Sequence, residues 1–243
     1  APAPAGATAA PPPGAGEVRP LTAMRRIVAQ RLSESKQTIP HYYLMAECDM
    51  TRLVEIRSKV NKQTGVKHSF NDFIMKALGI ALREYPAMAG RWVQGGIEQA
   101  TELNVGLAVA LEEGLIVPVV RNVDRDWLGD IAAQSARLVE KARGKKLLPE
   151  ECEGAIMTVS NLGAFHIEWV LPIINPGECS ILGVGAIAPK VVAINGGCIG
   201  IRQVCRMTLA VDHRIADGAA GAAFLRRVVD LLDGGRVGDQ VAA

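Results

Sequence analysis

The sequence is poor in aromatic side chains and has almost no excess charge of either sign. Phe, Trp and Tyr make up 4% of the 243 residues, and 27 Lys and Arg stand against 25 Asp and Glu, for a net charge of +2. No run of five or more basic residues occurs. Proteins that bind nucleic acids bring basic patches to phosphates and aromatic rings to bases. The composition therefore predicts no nucleic-acid partner.

Paired cysteines and long apolar runs are also missing. The five cysteines are Cys48, Cys152, Cys179, Cys198 and Cys205. Their odd number and wide spacing, with no CxxC pair, predict reduced thiols in a cytosol-like compartment and no zinc site. No window reaches the roughly 18 apolar residues of a membrane span. No charged region followed by an apolar one marks a signal peptide. We therefore expect neither a membrane partner nor a metal.

The chain begins with a stretch that contains only Ala, Pro, Gly and Thr, "APAPAGATAAPPPGAG" (1–16). Such a composition cannot bury a core and is typical of a semi-extended linker. We therefore assign residues 1–17 to an Ala/Pro-rich linker and residues 18–243 to one compact domain. A linker in this place leads us to expect that the chain is the tail end of a longer multidomain protein.

From residue 17 onward, helical and strand periodicities alternate. Apolar residues at helical spacing predict helices starting near Thr22 and over 51–61, 71–84, 128–142 and 218–232. Short runs rich in branched apolar residues predict strands over 42–50, 103–111, 115–122, 155–160, 179–188 and 205–212. Gly95-Gly96 and Asn195-Gly196 are typical of hairpin turns. The sum predicts an α/β fold in which a sheet is covered by helices.

Two stretches suggest ligand or catalytic chemistry. "GVGAIA" (183–188) matches a loose dinucleotide pattern, but Pro189 follows at once and no helical period comes after it, so no phosphate seat is expected. "VDHRIADG" (211–218) ends a strand at His213, and Asp217 suits the N-cap of the next helix. Taken alone, His213 is either a catalytic base or a satisfied structural histidine. "TVSNLGAFHIEW" (158–169) adds a hydroxyl at Ser160, and a base with a hydroxyl donor is a minimal acyl-transfer pair.

Several segments in collinear order carry a resemblance to one family. The chain resembles the catalytic domain of the acyltransferase (E2) component of 2-oxo acid dehydrogenase complexes over about residues 18 to 235. Its "SKQTIPHYYL" segment most resembles the pyruvate-dehydrogenase type. The matching segments are "LTAMRRIVAQRLSESKQTIPHYYL" (21–44), "GLIVPVVRN" (114–122), "TVSNLGAF" (158–165), "INPGECSILGVGA" (174–186) and "DHRIADGAAGAAFL" (212–225).

The resemblance implies a fold, a reaction and a set of site residues. The fold would be that of chloramphenicol acetyltransferase, a mixed sheet covered by helices, with the trimer as the building block. The reaction would move an acetyl group between S-acetyldihydrolipoamide and coenzyme A without a metal. His213 in the DHRxxDG motif would be the base, and Ser160 in TxSNLG the oxyanion donor. Asp217 would brace the loop, through an arginine such as Arg25 or Arg26.

The resemblance also implies partners and a location. Substrates of this family enter a channel between neighbouring subunits, so Ser160 and His213 would come from different chains. Trimers would assemble into an octahedral or icosahedral core. The lipoyl group, and the sites for the E1 and E3 components, would lie on domains upstream of this chain. The location would be the bacterial cytoplasm or the mitochondrial matrix. The residues that bind the phosphates of coenzyme A are not identified by the sequence.

The chain departs from the family pattern at a few positions, and alternatives stay open. Ala164 and His166 stand in "SNLGAFHI" where SNLGMFGI is usual, and "INPGE" replaces INPPQ. His166 is either an exposed loop residue or an element of the lipoyl entrance or of a subunit contact. Alternative functions are a branched-chain or other acyl-specific acyltransferase, a catalytically silent core scaffold, and a free-standing antibiotic acetyltransferase. The linker and the "SKQTIPHYYL" segment disfavour the antibiotic acetyltransferase.

Overall fold

A computed structural model describes residues 20–111, 114–234 and 237. The predicted linker over 1–17 lies outside the described residues. In this part of the chain the α-helices are α1 (Ala23–Thr38), α2 (Thr51–Thr64), α3 (Phe70–Glu84), α4 (Leu128–Arg143) and α5 (Gly218–Asp233). The strands are β1 (His41–Asp49), β2 (Gly90–Val93), β3 (Gly96–Gln99), β4 (Val105–Leu107), β5 (Val109–Leu111), β6 (Gly114–Ile116), β7 (Val119–Val120), β8 (Met157–Asn161), β9 (Ser180–Val184), β10 (Ala188–Ile194) and β11 (Cys198–Asp212).

Side-chain caps fix where several helices begin. The Thr22 hydroxyl accepts a hydrogen bond from the backbone N–H of Arg25 at 3.3 Å and starts α1. Ser69 and Asp72 form a reciprocal capping box at the start of α3. Each cap satisfies backbone N–H groups that have no partner inside the helix. The predicted helices are confirmed, with ends that differ from the prediction by a few residues.

The main sheet is mixed and positions both candidate residues. Its strand order is β1-β11-β9-β8-β4-β7, and β10 pairs with β11 outside this path. β8 runs parallel to both β4 and β9, whereas the other pairs are antiparallel. Two small two-stranded sheets, β2-β3 and β5-β6, lie apart from it. The hairpin predicted around Gly95-Gly96 is confirmed as β2-β3, with Gln94 and Gly95 as the turn residues and Gly96 already in β3.

Helices cover one face of this sheet and enclose the principal core. Phe73 and Leu78 of α3 and Phe224 of α5 pack with Met207 of β11, and all four are fully buried. Burying such side chains contributes about 1.5–3 kcal/mol each. A smaller cluster lies on the opposite face and contains Ile39, Ile174, Ile181 and Ala210. The α/β fold class is thereby confirmed.

Some strand predictions need correction. The strand predicted over 179–188 ends at Val184, and a separate strand, β10, runs from Ala188 to Ile194. β11 begins at Cys198 instead of Cys205, so the hairpin turn contains three residues, 195–197, rather than the predicted pair. The predicted strand 103–111 is broken into β4 and β5, which belong to different sheets. Likewise, 115–122 is divided between β6 and β7.

The cysteines are free, as predicted. Cys48 of β1 and Cys205 of β11 stand opposite each other in the sheet, and both are fully buried. Burial raises the pKa of the Cys205 thiol to about 11 and raises the pKa of Cys48 as well. A thiol with a raised pKa is a poor nucleophile, so these two side chains act as small apolar core residues.

Candidate active site

His213 follows the last residue of β11 and is exposed. Its backbone N–H donates to the carbonyl of Pro40 at 3.1 Å, which continues the pairing of β1 with β11 by one step. Within the described residues, the two ring nitrogens have no hydrogen-bond partner. The main chain of His213 is therefore fixed, while its imidazole is available to a ligand.

The neighbours of His213 hold the turn in place. The buried carboxylate of Asp212 accepts hydrogen bonds from Arg214, with the closest contact at 2.6 Å to Nη2. Arg214 also lies over the ring of Trp92, 5.0 Å from its centroid. The hydrogen bonds with Asp212 raise the pKa of the Arg214 guanidinium. The sequence analysis missed this ion pair, although the DHR triplet places an acidic and a basic residue on either side of the histidine.

Asp217 is the N-cap of α5, as predicted. Its carboxylate accepts a hydrogen bond from the backbone N–H of Ala220 at 2.8 Å. In the described part of the chain it forms no ion pair with Arg25 or Arg26. The suggested bracing by one of those arginines is therefore absent within the described residues of a single chain.

Ser160 lies near the end of β8, opposite Gly183 of β9. Its half-buried hydroxyl has no hydrogen-bond partner among the described residues. The next residue, Asn161, fixes the turn: its amide donates to Asn71 at 2.7 Å and accepts from the N–H of Gly163 at 2.8 Å. The strand end is thereby held rigid while the serine stays uncommitted.

An open cavity of about 420 Å³ lies beside this turn. The residues that line it include Arg57, Asn71, Asn161, Gly163 and Ala164. Arg57 donates to the carbonyl of His68 at 2.8 Å, so its guanidinium is held by the protein. The cavity offers amide and cationic groups to a ligand, and one of its lining residues, Asn161, directly follows Ser160 in the chain.

The sheet register sets Ser160 and His213 far apart within one chain. Ser160 is level with Gly183 of β9, which is level with Thr208 of β11, and His213 lies five residues further along. At about 3.3 Å per residue and about 4.8 Å per strand, this corresponds to roughly 19 Å. The structure does not bring the predicted base and hydroxyl donor together inside a single chain.

The loose dinucleotide pattern does not lead into a helix. β10 follows it, so no helix N-terminus is present for a phosphate. The glycine at position 185 is required by packing instead, because the backbone carbonyl of Glu168 occupies the place of a side chain. Within the described ranges there is no group of three or more His, Cys, Asp and Glu residues placed to hold a metal ion. Those ranges also contain no helix long and apolar enough to span a bilayer.

Two of the departures from the family pattern, His166 and Glu178, have unusual environments in the structure. His166 is exposed and has a left-handed backbone with φ of 58°, after the short helical turn 163–165. Glu178 is buried and its Oε1 accepts hydrogen bonds from Thr158 and Asn175, while Oε2 has no partner among the residues that the structure describes. Burial raises the pKa of Glu178 to about 7, and the hydrogen bonds only partly oppose this.

The mixed sheet, with a histidine at one end and a serine at the other, defines an α/β protein of the chloramphenicol acetyltransferase fold. A chloramphenicol acetyltransferase structure aligns with a TM-score of 0.56 over 84% of this chain and 94% of that one, at 14% identity. The family model of the 2-oxoacid dehydrogenases acyltransferase (catalytic domain) matches residues 13–236. The chain belongs to this family, and the predicted family and fold are confirmed.

Relatives include enzymes and assembled cores. A dihydrolipoyllysine-residue acetyltransferase component of the pyruvate dehydrogenase complex from Rickettsia bellii is 41% identical over 85% of this chain. The cubic core of a pyruvate dehydrogenase multienzyme complex aligns with a TM-score of 0.88 and 33% identity, over 95% of this chain and 99% of the other. The dihydrolipoamide acetyltransferase of Azotobacter vinelandii aligns with a TM-score of 0.87 and 33% identity, over 93% and 94%. This chain spans about half, 50%, of the Rickettsia bellii relative.

Proposed function

We propose that this chain transfers an acetyl group between a dihydrolipoyl thiol and coenzyme A, as the core of a pyruvate dehydrogenase complex. Membership of the acyltransferase family supports the reaction class. Similarity to acetyltransferase components of pyruvate dehydrogenase complexes, at 41% and 39% identity, favours acetyl over other acyl groups. Coenzyme A and the lipoyl group are substrates in this proposal, and the protein residues supply the acid–base chemistry.

We assign the base to His213 and the oxyanion donor to Ser160. The observation that carries this assignment is that the ring nitrogens of His213 and the hydroxyl of Ser160 have no hydrogen-bond partner in the described part of the chain, whereas the side chains of Arg214 and Asn161 beside them are hydrogen-bonded. The catalytic mechanism of the Azotobacter relative has been studied through a serine, a histidine and an asparagine. That histidine and asparagine are four positions apart, as are His213 and Asp217.

The reaction follows from ordinary acid–base chemistry. A free thiol has a pKa of about 8.5, so only a few per cent is thiolate at neutral pH. His213 takes the proton from the thiol of coenzyme A as the sulfur attacks the thioester carbonyl. Ser160 donates a hydrogen bond to the resulting oxyanion. The tetrahedral intermediate then expels the dihydrolipoyl sulfur, which receives the proton from the imidazolium. Base catalysis contributes about 10²–10⁴ in rate, and one oxyanion donor about 10²–10³.

We propose that the site is completed by a second copy of the chain, in a trimer. The distance between Ser160 and His213 along the sheet supports this, because one chain cannot place both on one substrate. Large apolar side chains are exposed just beyond Ser160, including Phe165 at 63% and Trp169 at 52%. Exposed apolar patches of this kind are typical of interaction surfaces. The relative that forms a cubic core supports further assembly of trimers.

The relatives support a proposal for the location and the remaining partners. Similar acetyltransferase components are bacterial or mitochondrial, so we place the chain in the bacterial cytoplasm or in the mitochondrial matrix. The E1 and E3 components, and the lipoyl group, would engage domains outside this chain. Static light scattering tests the assembly, and an active monomer would contradict it.

The decisive experiment compares acetyl-, isobutyryl- and succinyl-coenzyme A as donors to free dihydrolipoamide. We expect acetyl transfer to be fastest, and the His213→Ala variant to lose at least about 10²-fold in rate. A higher rate with isobutyryl- or succinyl-coenzyme A would identify a different acyl specificity. No transfer by the wild-type chain from any of the three would favour the silent scaffold.

A further inference from the structure

Tyr42 packs its ring directly against the imidazole of His213. The two ring centroids are 4.8 Å apart, with an angle of 60° between the planes, which is an edge-on contact. The contact arises from the register of β1 and β11, in which Pro40 is level with His213 and Tyr42 lies two residues along. Diagonal neighbours on one face of an antiparallel pair are within reach of aromatic side chains.

The hydroxyl of Tyr42 is anchored on the far side of the same turn. It donates a hydrogen bond to the backbone carbonyl of Asp217 at 2.6 Å. Burial raises the pKa of Tyr42 to about 12, so the hydroxyl keeps the proton that it donates. Tyr42 therefore spans the turn from His213 to Asp217, touching its first residue with the ring and its last with the hydroxyl.

The start of helix α5 is shaped to admit this side chain. A Cβ built on Gly221 would overlap the Tyr42 hydroxyl and approach Leu44. Only glycine leaves room for the phenol between strand β1 and the helix. Two independent features, the hydrogen bond and the missing side chain, thus fix the position of the ring that touches His213.

We propose that Tyr42 is a positioning residue that holds the imidazole of His213 in the orientation required for proton transfer. This inference rests on the proposed function and adds to it a residue that itself need not touch the substrate. The physical reason is that the ring nitrogens of His213 have no partner in the described chain, so the edge contact with Tyr42 is what restricts rotation of the imidazole. Small displacements of a catalytic group cost up to about 10²-fold in rate.

Two variants separate the ring from the hydroxyl. Tyr42→Phe keeps the ring contact and loses the anchor to Asp217, so we expect kcat to fall about threefold to tenfold. Tyr42→Leu loses both, and we expect kcat to fall about tenfold to hundredfold. The KM for acetyl-coenzyme A should change less than about twofold in both variants, since ground-state binding is not altered.

Tyr85→Leu serves as the matched control. Tyr85 packs edge-on against Phe224 of α5, with 6.4 Å between the ring centroids, and Phe224 lies about two turns beyond Asp217. The Tyr85→Leu substitution therefore removes a comparable aromatic contact from α5 at a position away from His213. We expect a similar loss of Tm with kcat within about twofold of wild type.

A double-mutant cycle decides whether Tyr42 acts through His213. In the His213→Ala background, Tyr42→Leu should cause almost no further loss of the residual rate, because the group that it positions is gone. An undiminished loss in that background, or an equal loss of kcat in Tyr85→Leu, would overturn the positioning role. So would full kcat in Tyr42→Leu when His213→Ala is inactive. Full activity in His213→Ala would instead refute the proposed function itself.

Discussion

Ser160 of β8 and His213, which directly follows β11, lie at opposite ends of the same sheet, and β9 separates the two strands. Ser160 is level with Thr208 through Gly183, and five further residues of β11 lead to His213. Both side chains are accessible and have no hydrogen-bond partner in the described chain. If both serve one thioester, the hydroxyl and the imidazole must come from different copies of the chain.

This arrangement predicts complementation between two inactive variants. Ser160→Ala should lose about 10²–10³ in rate and His213→Ala about 10²–10⁴. When the two are dissociated, mixed in equal amounts and reassembled as trimers, about one quarter of the sites pair an intact serine with an intact histidine. We expect close to a quarter of the wild-type rate, measured as acetyl transfer to dihydrolipoamide.

The control is the same mixture without dissociation, which should stay as inactive as its components. A chain that carries both substitutions should give no recovery with either single variant. Absence of complementation after verified reassembly would place both groups of each site in one chain, in conflict with the sheet register.

Asp217 is predicted to stabilise the protein chiefly as the N-cap of α5. Asp217→Ala removes the acceptor for the N–H of Ala220, which costs about 0.5–2 kcal/mol, so Tm and rate should both fall. Asp217→Asn keeps an acceptor at the same place and should retain most of both. Thermal unfolding and the transfer assay test the pair. An unchanged Tm and rate in Asp217→Ala would show that the cap is dispensable and that Asp217 has no role.

The helices and the serine and histidine motifs were predictable because their signals are local. An apolar residue every three or four positions is enough to predict α3 and α5, and Asp217 before Gly218 predicts the helix start. The strand β10 was missed for a local reason too. Its exposed positions are apolar, such as Val191 at 71%, so the alternation of apolar and polar residues typical of a strand is absent.

The relation between distant segments was not predictable from one sequence. Tyr42 and Asp217 are 175 positions apart, and their hydrogen bond exists only because β1 pairs with β11. The separation of Ser160 from His213 also depends on strand order and register, which periodicity does not encode. The sequence thus identifies candidate groups, while the sheet decides which of them meet.

The buried carboxyl of Glu178 predicts a pH-dependent stability. Its pKa is about 7 in the folded chain against an ordinary value of 4.5, because burial disfavours the charged form despite hydrogen bonds from Thr158 and Asn175 and a nearby positive Arg91. Between pH 4.5 and about 7, Glu178 is therefore protonated in the folded chain and ionised in the unfolded chain. The contribution of Glu178 to the unfolding free energy is fully present below pH 4.5 and is lost as the pH rises through about 7.

Glu178→Gln tests this expectation. Glutamine cannot ionise, so the difference in unfolding free energy between variant and wild type should shift in favour of the variant by a few kcal/mol between pH 5 and pH 8. Urea unfolding at several pH values measures it. Glu55→Gln, the same substitution at an exposed position of α2, controls for the general effect of pH. Parallel pH profiles for wild type and Glu178→Gln would mean that the carboxyl does not titrate in this range.

His166 is predicted to strain the turn that follows Ser160. Its φ of 58° lies in the left-handed region, which costs a residue with a Cβ about 1–2 kcal/mol, whereas glycine adopts it freely but loses more entropy on folding. His166→Gly should therefore raise the unfolding free energy by up to about 1 kcal/mol, and His166→Ala should not. The exposed ring forms no hydrogen bond in the described chain, so no hydrogen bond of the ring offsets the strain. A lower Tm than wild type for both His166→Gly and His166→Ala, in the assembled protein, would contradict this expectation and indicate that the imidazole makes a stabilising contact with another copy of the chain, since alanine removes the ring without the entropy cost of glycine.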